Sequence, residues 1–172
     1  MRVDSELPNF GSSEVRRRRD RVRLAGPRAD LRTEATMATQ ITHIGIVVHD
    51  LDAAVKLWSE NFGMKEFRRT DIAVEGIRSA FLSPHGTPDE MHIELMEPRD
   101  KADLTNAVAR RLARAGEGFY HLALRVDDVE RTGKTLAGKG LKVIERAPIA
   151  EGAKLRWVVH PKSSSGVLVE LL

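Results

Sequence analysis

The sequence predicts an α+β domain made of two similar halves, each with the element order βαβββ. The main observation is an internal repeat, because residues 41–54 and 119–132 share one pattern. Each segment has an apolar strand with one His near its start, followed by Asp residues of the kind that begin a helix. Three short β segments follow each of these helices. Two copies of one such unit predict two paired modules.

The helices of the repeat are predicted at residues 51–62 and 129–136, because Asp50 and Asp127 can accept hydrogen bonds from exposed N–H groups of a first turn. Gly63, and Gly138 with Gly140, are suitable residues for ending them. The β segments are predicted at 65–72, 77–83, 91–97, 142–147, 154–160 and 167–172. A polar amphipathic stretch then links the halves as a helix. Module one spans 41–98, the linker helix 102–116 and module two 118–172.

The basic charge of the chain is confined to its N-terminal part. Residues 1–36 contain nine Arg and six acidic residues, which accounts for the whole net charge of +3. We interpret residues 1–40 as a disordered Arg-rich arm, and Met37 suggests that this arm lies upstream of the true start. The remainder is formally neutral, so no nucleic-acid partner is expected.

Two absences in the sequence narrow the class of protein. No stretch approaches the roughly 18 consecutive apolar residues of a membrane span, so we expect a cytoplasmic protein without a membrane partner. The chain has no Cys, which excludes disulfides, thiolate metal sites and Cys nucleophiles. Any metal ligands must therefore be His, Asp or Glu.

A metal site is predicted from four residues that the repeat brings into register. Glu94 and Glu170 each interrupt an apolar strand at the end of a module, where a carboxylate is costly unless a cation neutralises it. Each is preceded by a strand His at matched spacing, His43 and His121. A lone strand His is usually structural, but the same pair occurring twice favours ligation. We therefore predict one divalent metal ion bound by all four.

Strand alternation agrees with this prediction. It places His43, Gly45 and Val47 on one face of the first strand, and the opposite face is expected to form the core. Two imidazoles and two carboxylates suit Co, Mn, Ni, Fe or Zn, and the ligand types do not choose among these metals.

Residues 41–172 resemble the vicinal oxygen chelate superfamily, also called the glyoxalase and bleomycin resistance superfamily. Within it they look most like methylmalonyl-CoA epimerases, through HIGIV at 43–47, IELMEP at 93–98, HLALRVDDV at 121–129 and above all HPKSSSGVLVEL at 160–171. The resemblance implies two modules forming an open sheet around one metal ion, cobalt among the candidates. It also implies an acyl-CoA substrate and a homodimer.

The resemblance further implies epimerisation of a 2-carboxyl acyl-CoA, in which the metal chelates substrate oxygens and stabilises an enolate. Acid/base groups should then flank the reacting carbon, and Glu170 and His92 are the candidates. His92 has the alternative role of a residue that supports the ligands. The sequence departs from the family at Ser79, where some epimerases carry an acid, and at Tyr120-His121, where many members have two His.

Two other functions remain open on the same pattern. One is another metalloenzyme of the superfamily, a glyoxalase-type lyase or a dioxygenase. Ring-cleaving oxygenases typically keep two His and one carboxylate, so a fourth ligand argues against that class. The other is a non-catalytic small-molecule-binding protein, which the missing acid at Ser79 favours. His160 and Lys162 are candidates for holding a phosphate, although a Lys beside a turn is usually solvated.

Overall fold

The computed structural model describes residues 38–149 and 155–172. The strands are β1 (Gln40–Val47), β2 (Lys65–Ile72), β3 (Ile77–Ser83), β4 (His92–Pro98), β5 (Gly118–Arg125), β6 (Val143–Arg146), β7 (Arg156–Val159) and β8 (Leu168–Leu171), and the helices are α1 (Leu51–Phe62), α2 (Ala107–Ala115) and α3 (Val129–Gly138). Short 3₁₀ helices at Ala73–Glu75 and Pro161–Ser163 complete the elements. Of the predicted arm, residues 1–37 lie outside the described residues, as do residues 150–154.

All the strands join one eight-stranded sheet in the order β2-β3-β4-β1-β5-β8-β7-β6. The antiparallel pair β1 and β5 lies at the centre and joins the two halves. On either side of it β1 pairs in parallel with β4, and β5 pairs in parallel with β8. The predicted α+β class and the βαβββ order of each half are confirmed.

The two helices of the repeat begin at equivalent residues. Asp50 accepts a hydrogen bond from the backbone N–H of Ala53 at 2.9 Å, as predicted. In the second half Asp128 accepts from the N–H of Arg131 at 2.9 Å, so the choice of Asp127 was wrong by one residue. The register of the repeat explains the correction, because Asp50 and Asp128 both directly precede the first helical residue.

The linker helix is shorter than the predicted range 102–116. It begins at Ala107 because the side chain of Asn106 accepts hydrogen bonds from the N–H groups of Val108 at 2.8 Å and Ala109 at 3.1 Å. Before it, Asp103 accepts from the N–H of Thr105 at 2.9 Å, which holds that segment in a turn.

Apolar clusters lie on both faces of the sheet in the first half. One packs under α1 and includes Val48, as predicted. The core was expected on that face alone, yet Val47, on the face that carries His43, is also fully buried. The reason is α2, whose Val108 and Leu112 pack with Val47. The linker helix therefore helps to enclose the face that carries the histidines. No helix in the described part of the chain is long and apolar enough to cross a bilayer.

Candidate metal centre

The two predicted histidines come from the central strand pair. His43 lies on β1 and His121 on β5, in a register that pairs His43 with Ala123 and Gly45 with His121. Both side chains are buried. Their Nε2 atoms face each other at 2.9 Å. The pseudo-twofold axis that relates the two halves therefore passes between these two imidazoles.

Gly45 allows this approach, and sequence reasoning missed its role. A Cβ atom at position 45 would lie 2.3 Å from Cε1 and 2.4 Å from Nδ1 of His121, far inside van der Waals contact. The imidazole of His121 therefore occupies the space that any other side chain at this position would need. The signal was present in the motif HIGIV, since a Gly inside a strand indicates close approach of another group.

The two predicted carboxylates reach the same point from the neighbouring strands. Glu94 on β4 lies opposite Gly45, and its Oε2 is 3.5 Å from Nε2 of both histidines. Glu170 on β8 has its Oε2 at 3.5 Å from Nε2 of His121 and 3.9 Å from that of His43. Ligand atoms of His43, His121 and Glu170 all lie within 4.8 Å of one another. Glu94 is not part of this mutually close group, but its contacts with both histidines bring all four predicted residues together around the histidine pair.

The donor set fits a divalent cation. At most one proton can lie between the two facing imidazole nitrogens. The positive charge of that proton cannot balance the negative charges of both buried carboxylates. Two nitrogens at about 2.1 Å from one cation, at a right angle, lie about 3.0 Å apart, close to the spacing of the His43 and His121 Nε2 atoms. The centre has the ligand atoms, the charge and the spacing for one metal ion.

The electrostatics favour the ligand forms of these residues. Burial lowers the pKa of His121, so its imidazole is neutral at neutral pH. Burial opposes ionisation of Glu94, but its polar contact with His43, the nearby imidazole of His121 and the nearby hydroxyl of Ser79 together outweigh this effect and keep the pKa of Glu94 below its ordinary value. A neutral imidazole and an ionised carboxylate are the forms that bind a cation.

His92 lies beside the centre and is part of an aromatic group. Its ring stacks on His43 with centroids 5.2 Å apart and meets Phe67 and Phe81 edge to face. Its Nδ1 lies 2.9 Å from the carbonyl oxygen of Glu90. A carbonyl only accepts, so Nδ1 carries the proton and Nε2 has the free lone pair. Burial lowers the pKa of His92, which keeps that nitrogen unprotonated at neutral pH.

A cavity of about 580 Å³ opens beside the centre, within the usual range for small-molecule sites. Glu94, His121 and Glu170 line it, whereas His92 is not among its lining residues. Its apolar walls are Ile77, Met96, Val108, Phe119, Tyr120, Ile144, Val158 and Leu168. Of the predicted phosphate contacts, His160 lines the cavity and Lys162 does not.

Two further features of the site were not predicted. Arg156, on β7, donates a hydrogen bond to Oε1 of Glu170 at 3.1 Å and also pairs with Glu75. Among the described residues, the hydroxyl of Ser79 is buried without a hydrogen-bond partner. Ser79 was singled out in the sequence as an unusual residue, but nothing local to Arg156 indicated its contact with a ligand.

The fold and this centre agree with the comparisons to known proteins. Residues 42–159 match the family model of the Glyoxalase/Bleomycin resistance protein/Dioxygenase superfamily. The chain belongs to this superfamily, and the resemblance noted in the sequence is confirmed.

Similar proteins include methylmalonyl-CoA epimerases and lactoylglutathione lyases. The mitochondrial methylmalonyl-CoA epimerase of Dictyostelium discoideum is 29% identical over 134 residues, covering 77% of this chain and 76% of that protein. A solved structure of a single-residue variant of Streptomyces coelicolor methylmalonyl-CoA epimerase in complex with 2-nitronate-propionyl-CoA has 32% identity and a TM-score of 0.67, covering 78% of this chain and 96% of that one. A probable chloroplastic lactoylglutathione lyase of Arabidopsis thaliana is 34% identical over 67% of this chain, but the match spans 30% of that protein.

Proposed function

We propose that the protein is a divalent-metal-dependent epimerase of a 2-carboxyl acyl-CoA such as methylmalonyl-CoA. The observation that carries the proposal is the convergence of His43, Glu94, His121 and Glu170 beside a cavity that three of them line. The similarity to epimerases, one of them solved with an acyl-CoA analogue, supports the substrate class.

The four converging residues would hold the ion, and the neutral imidazole of His121 and the ionised carboxylate of Glu94 match that role. A bound divalent cation supplies Lewis acidity, which favours negative charge on substrate oxygen atoms next to the carbon that loses its proton. The chain's contribution is to place that carbon in a cavity with apolar walls. Such walls exclude water and strengthen the electrostatic effect of the centre.

Proton transfer requires groups of this chain near the bound carbon. Glu170 is our first candidate, because it lines the cavity and its Oε1 does not face the histidines; this oxygen accepts one hydrogen bond from Arg156 and keeps a second lone pair for a proton. His92, which stacks on His43 but does not itself line the cavity, is the second, because its Nε2 is a basic nitrogen. Epimerisation needs a proton removed from one face and returned on the other, so two such groups are required.

The decisive experiment is exchange of the α-proton of methylmalonyl-CoA in D₂O, measured by mass spectrometry with Co²⁺-loaded protein. We expect deuterium incorporation well above a protein-free control. Glu170→Gln should abolish the exchange. Glu97→Gln is the matched control, because Glu97 is a buried carboxylate on the same strand as Glu94 but is bonded to Arg78 and Lys101. No exchange by the loaded wild-type protein would refute the proposal.

Metal binding is tested separately from activity. Titrating the chelator-treated protein with Co²⁺, Mn²⁺, Ni²⁺ and Zn²⁺ should raise its melting temperature, since a ligand at a hundred times its Kd adds about 2.7 kcal/mol to the stability of the folded state. Glu170→Gln should reduce this increase. An unchanged melting temperature with every metal would count against the site. The homodimer and the cytoplasmic location stay predictions from the sequence.

The second candidate function is a glyoxalase-type lyase, which the 34% identity to a lactoylglutathione lyase favours. Formation of lactoylglutathione by the metal-loaded protein, without exchange of the methylmalonyl-CoA α-proton, would support this alternative. Binding of methylmalonyl-CoA or of lactoylglutathione without any reaction of the bound compound would instead support a non-catalytic binding protein.

A further inference from the structure

The two carboxylates of the centre occupy equivalent places, but their neighbours on the adjoining strands differ. Glu94 pairs with Phe81 on β3, and Glu170 pairs with Val158 on β7. The residue two positions earlier on each adjoining strand shares the same face of the sheet. In module one that residue is Ser79, and in module two it is Arg156. The repeat therefore sets an uncharged hydroxyl beside one carboxylate and a guanidinium beside the other.

The guanidinium of Arg156 is held on three sides. Its Nη1 donates to Oε1 of Glu170 at 3.1 Å, its Nη2 pairs with the carboxylate of Glu75, and its Nε donates to the carbonyl oxygen of Ala147 at 3.3 Å. The side chain is only 18% exposed. A planar guanidinium with its donors engaged in three directions has little freedom to rotate.

Glu75 anchors this arrangement. One of its oxygens contacts Arg156 and the other contacts Arg146, so two guanidinium groups share one carboxylate. The Glu75 side chain is 16% exposed, which limits competition from water. Glu75 lies in module one, just before β3, whereas both arginines lie in module two. Glu75 lines the same cavity as Glu94 and Glu170, but it is not one of the four predicted ligands.

Because of the contact with Arg156, the two oxygens of Glu170 have different partners. Oε1 is engaged by the guanidinium, while Oε2 lies 3.5 Å from Nε2 of His121. Glu94 has no guanidinium partner: among the described residues its carboxylate lies near His43, His121 and the uncharged hydroxyl of Ser79.

We propose that Arg156 is a positioning residue that presents Glu170 to the metal through a single oxygen, with Glu75 as its anchor. Glu94, without such a partner, is the carboxylate that adjusts its position on binding. The proposal rests on the proposed metal centre and adds an asymmetry that the two similar modules would not otherwise have. Contacts of this kind orient ligands and commonly change metal affinity by about 10- to 100-fold.

The test is titration of the chelator-treated protein with Co²⁺, recording both the Kd and the visible absorption spectrum of the bound ion. Arg156→Met should weaken binding by about 10- to 100-fold and change the spectrum, because Glu170 is then free to bind through either oxygen. Arg156→Lys keeps the charge but not the fork of donors, so it should recover the affinity only in part. Ser79→Ala, at the equivalent position, should leave both readouts unchanged.

Glu75→Gln is a second variant. It retains Arg156 but removes the negative charge of the residue that anchors its guanidinium. It should raise the Kd by a smaller factor than Arg156→Met and shift the spectrum in the same direction. If Arg156→Met does not fold, wild-type affinity and spectrum in Glu75→Gln overturn the proposal. If Arg156→Met folds, wild-type behaviour in that variant overturns it. A wild-type protein that binds no Co²⁺ would instead refute the proposed metal centre itself.

Discussion

Gly45 and His121 lie so close across the central strand pair that the imidazole fills the space of a missing side chain, with the position of a Cβ only 2.3 Å from Cε1. Gly45→Ala should therefore displace His121 from the centre. Disturbing the residues that hold a metal ligand in position commonly weakens metal binding by about 10- to 100-fold. We therefore expect the Kd for Co²⁺, measured by titration, to rise at least about tenfold.

Gly138→Ala is the control for this variant. Gly138 ends α3, where an added Cβ would meet no atom within 4 Å. Metal affinity should be unchanged in Gly138→Ala. Equal affinities in the two alanine variants would show that His121 is not constrained by Gly45.

A second close contact should affect stability without affecting the metal centre directly. A Cβ on Gly133 of α3 would lie 2.4 Å from Cε3 of Trp157, a rigid indole packed under that helix. Gly133→Ala should lower the free energy of unfolding by about 1–3 kcal/mol, the usual cost of overpacking. Urea denaturation measures this change. Gly138→Ala in the same helix should instead be neutral or raise the stability by about 0.5 kcal/mol, and a similar effect of both variants would contradict the prediction.

Ser79→Ala should not destabilise the protein. The hydroxyl of Ser79 is completely buried and, within residues 38–149 and 155–172, has no hydrogen-bond partner. Removing it relieves an unmet polar group, so we expect the free energy of unfolding to stay level or rise by up to about 1 kcal/mol in urea denaturation. A loss of more than about 1 kcal/mol would mean that the hydroxyl is bonded in solution.

Glu97 should make the stability depend on pH in the acid range. Burial alone would raise its pKa, but hydrogen bonds from Lys101, Arg78 and the backbone N–H of Leu51 outweigh burial and hold the pKa below its ordinary value of 4.5. A group with a lowered folded-state pKa stabilises the protein above its unfolded pKa, and this contribution is lost as the pH falls through the folded value.

The variant Glu97→Gln isolates this contribution. At pH 7 it should cost about 1–2 kcal/mol, because the cationic partners of Glu97 are themselves about half exposed. Urea denaturation of both proteins from pH 7 downwards should show the difference shrinking below pH 4.5, the ordinary value of this carboxyl. A difference that stays constant with pH would rule out ionisation of Glu97 as its source.

The parts of the structure that were predictable depend on short-range patterns or on the repeat. The bounds of α1, β2 and β3 agree with prediction because caps and turns such as Asp50 and Gly63 act within a few residues. The convergence of His43 and His121 with the two carboxylates was predictable because equivalent positions of a repeat are related by its symmetry.

The parts that were not predictable depend on contacts between distant segments. Arg156 looks like an ordinary polar residue at the start of a strand, and its role appears only when β7 is set beside Glu170 and near Glu75. Likewise, the polar pattern of residues 102–115 did not show that α2 covers the face carrying the histidines. Side-chain alternation identifies two faces of a strand but not what packs against each of them.

The pairing of β1 with β5 inside one chain also has a genetic consequence. Each module supplies one His and one Glu, and both modules belong to the same polypeptide. Mixing His43→Ala chains with Glu170→Ala chains should therefore restore no activity, whatever the oligomeric state, because no mixed assembly contains a complete set unless modules exchange between chains. Two such alleles should fail to complement each other in one cell.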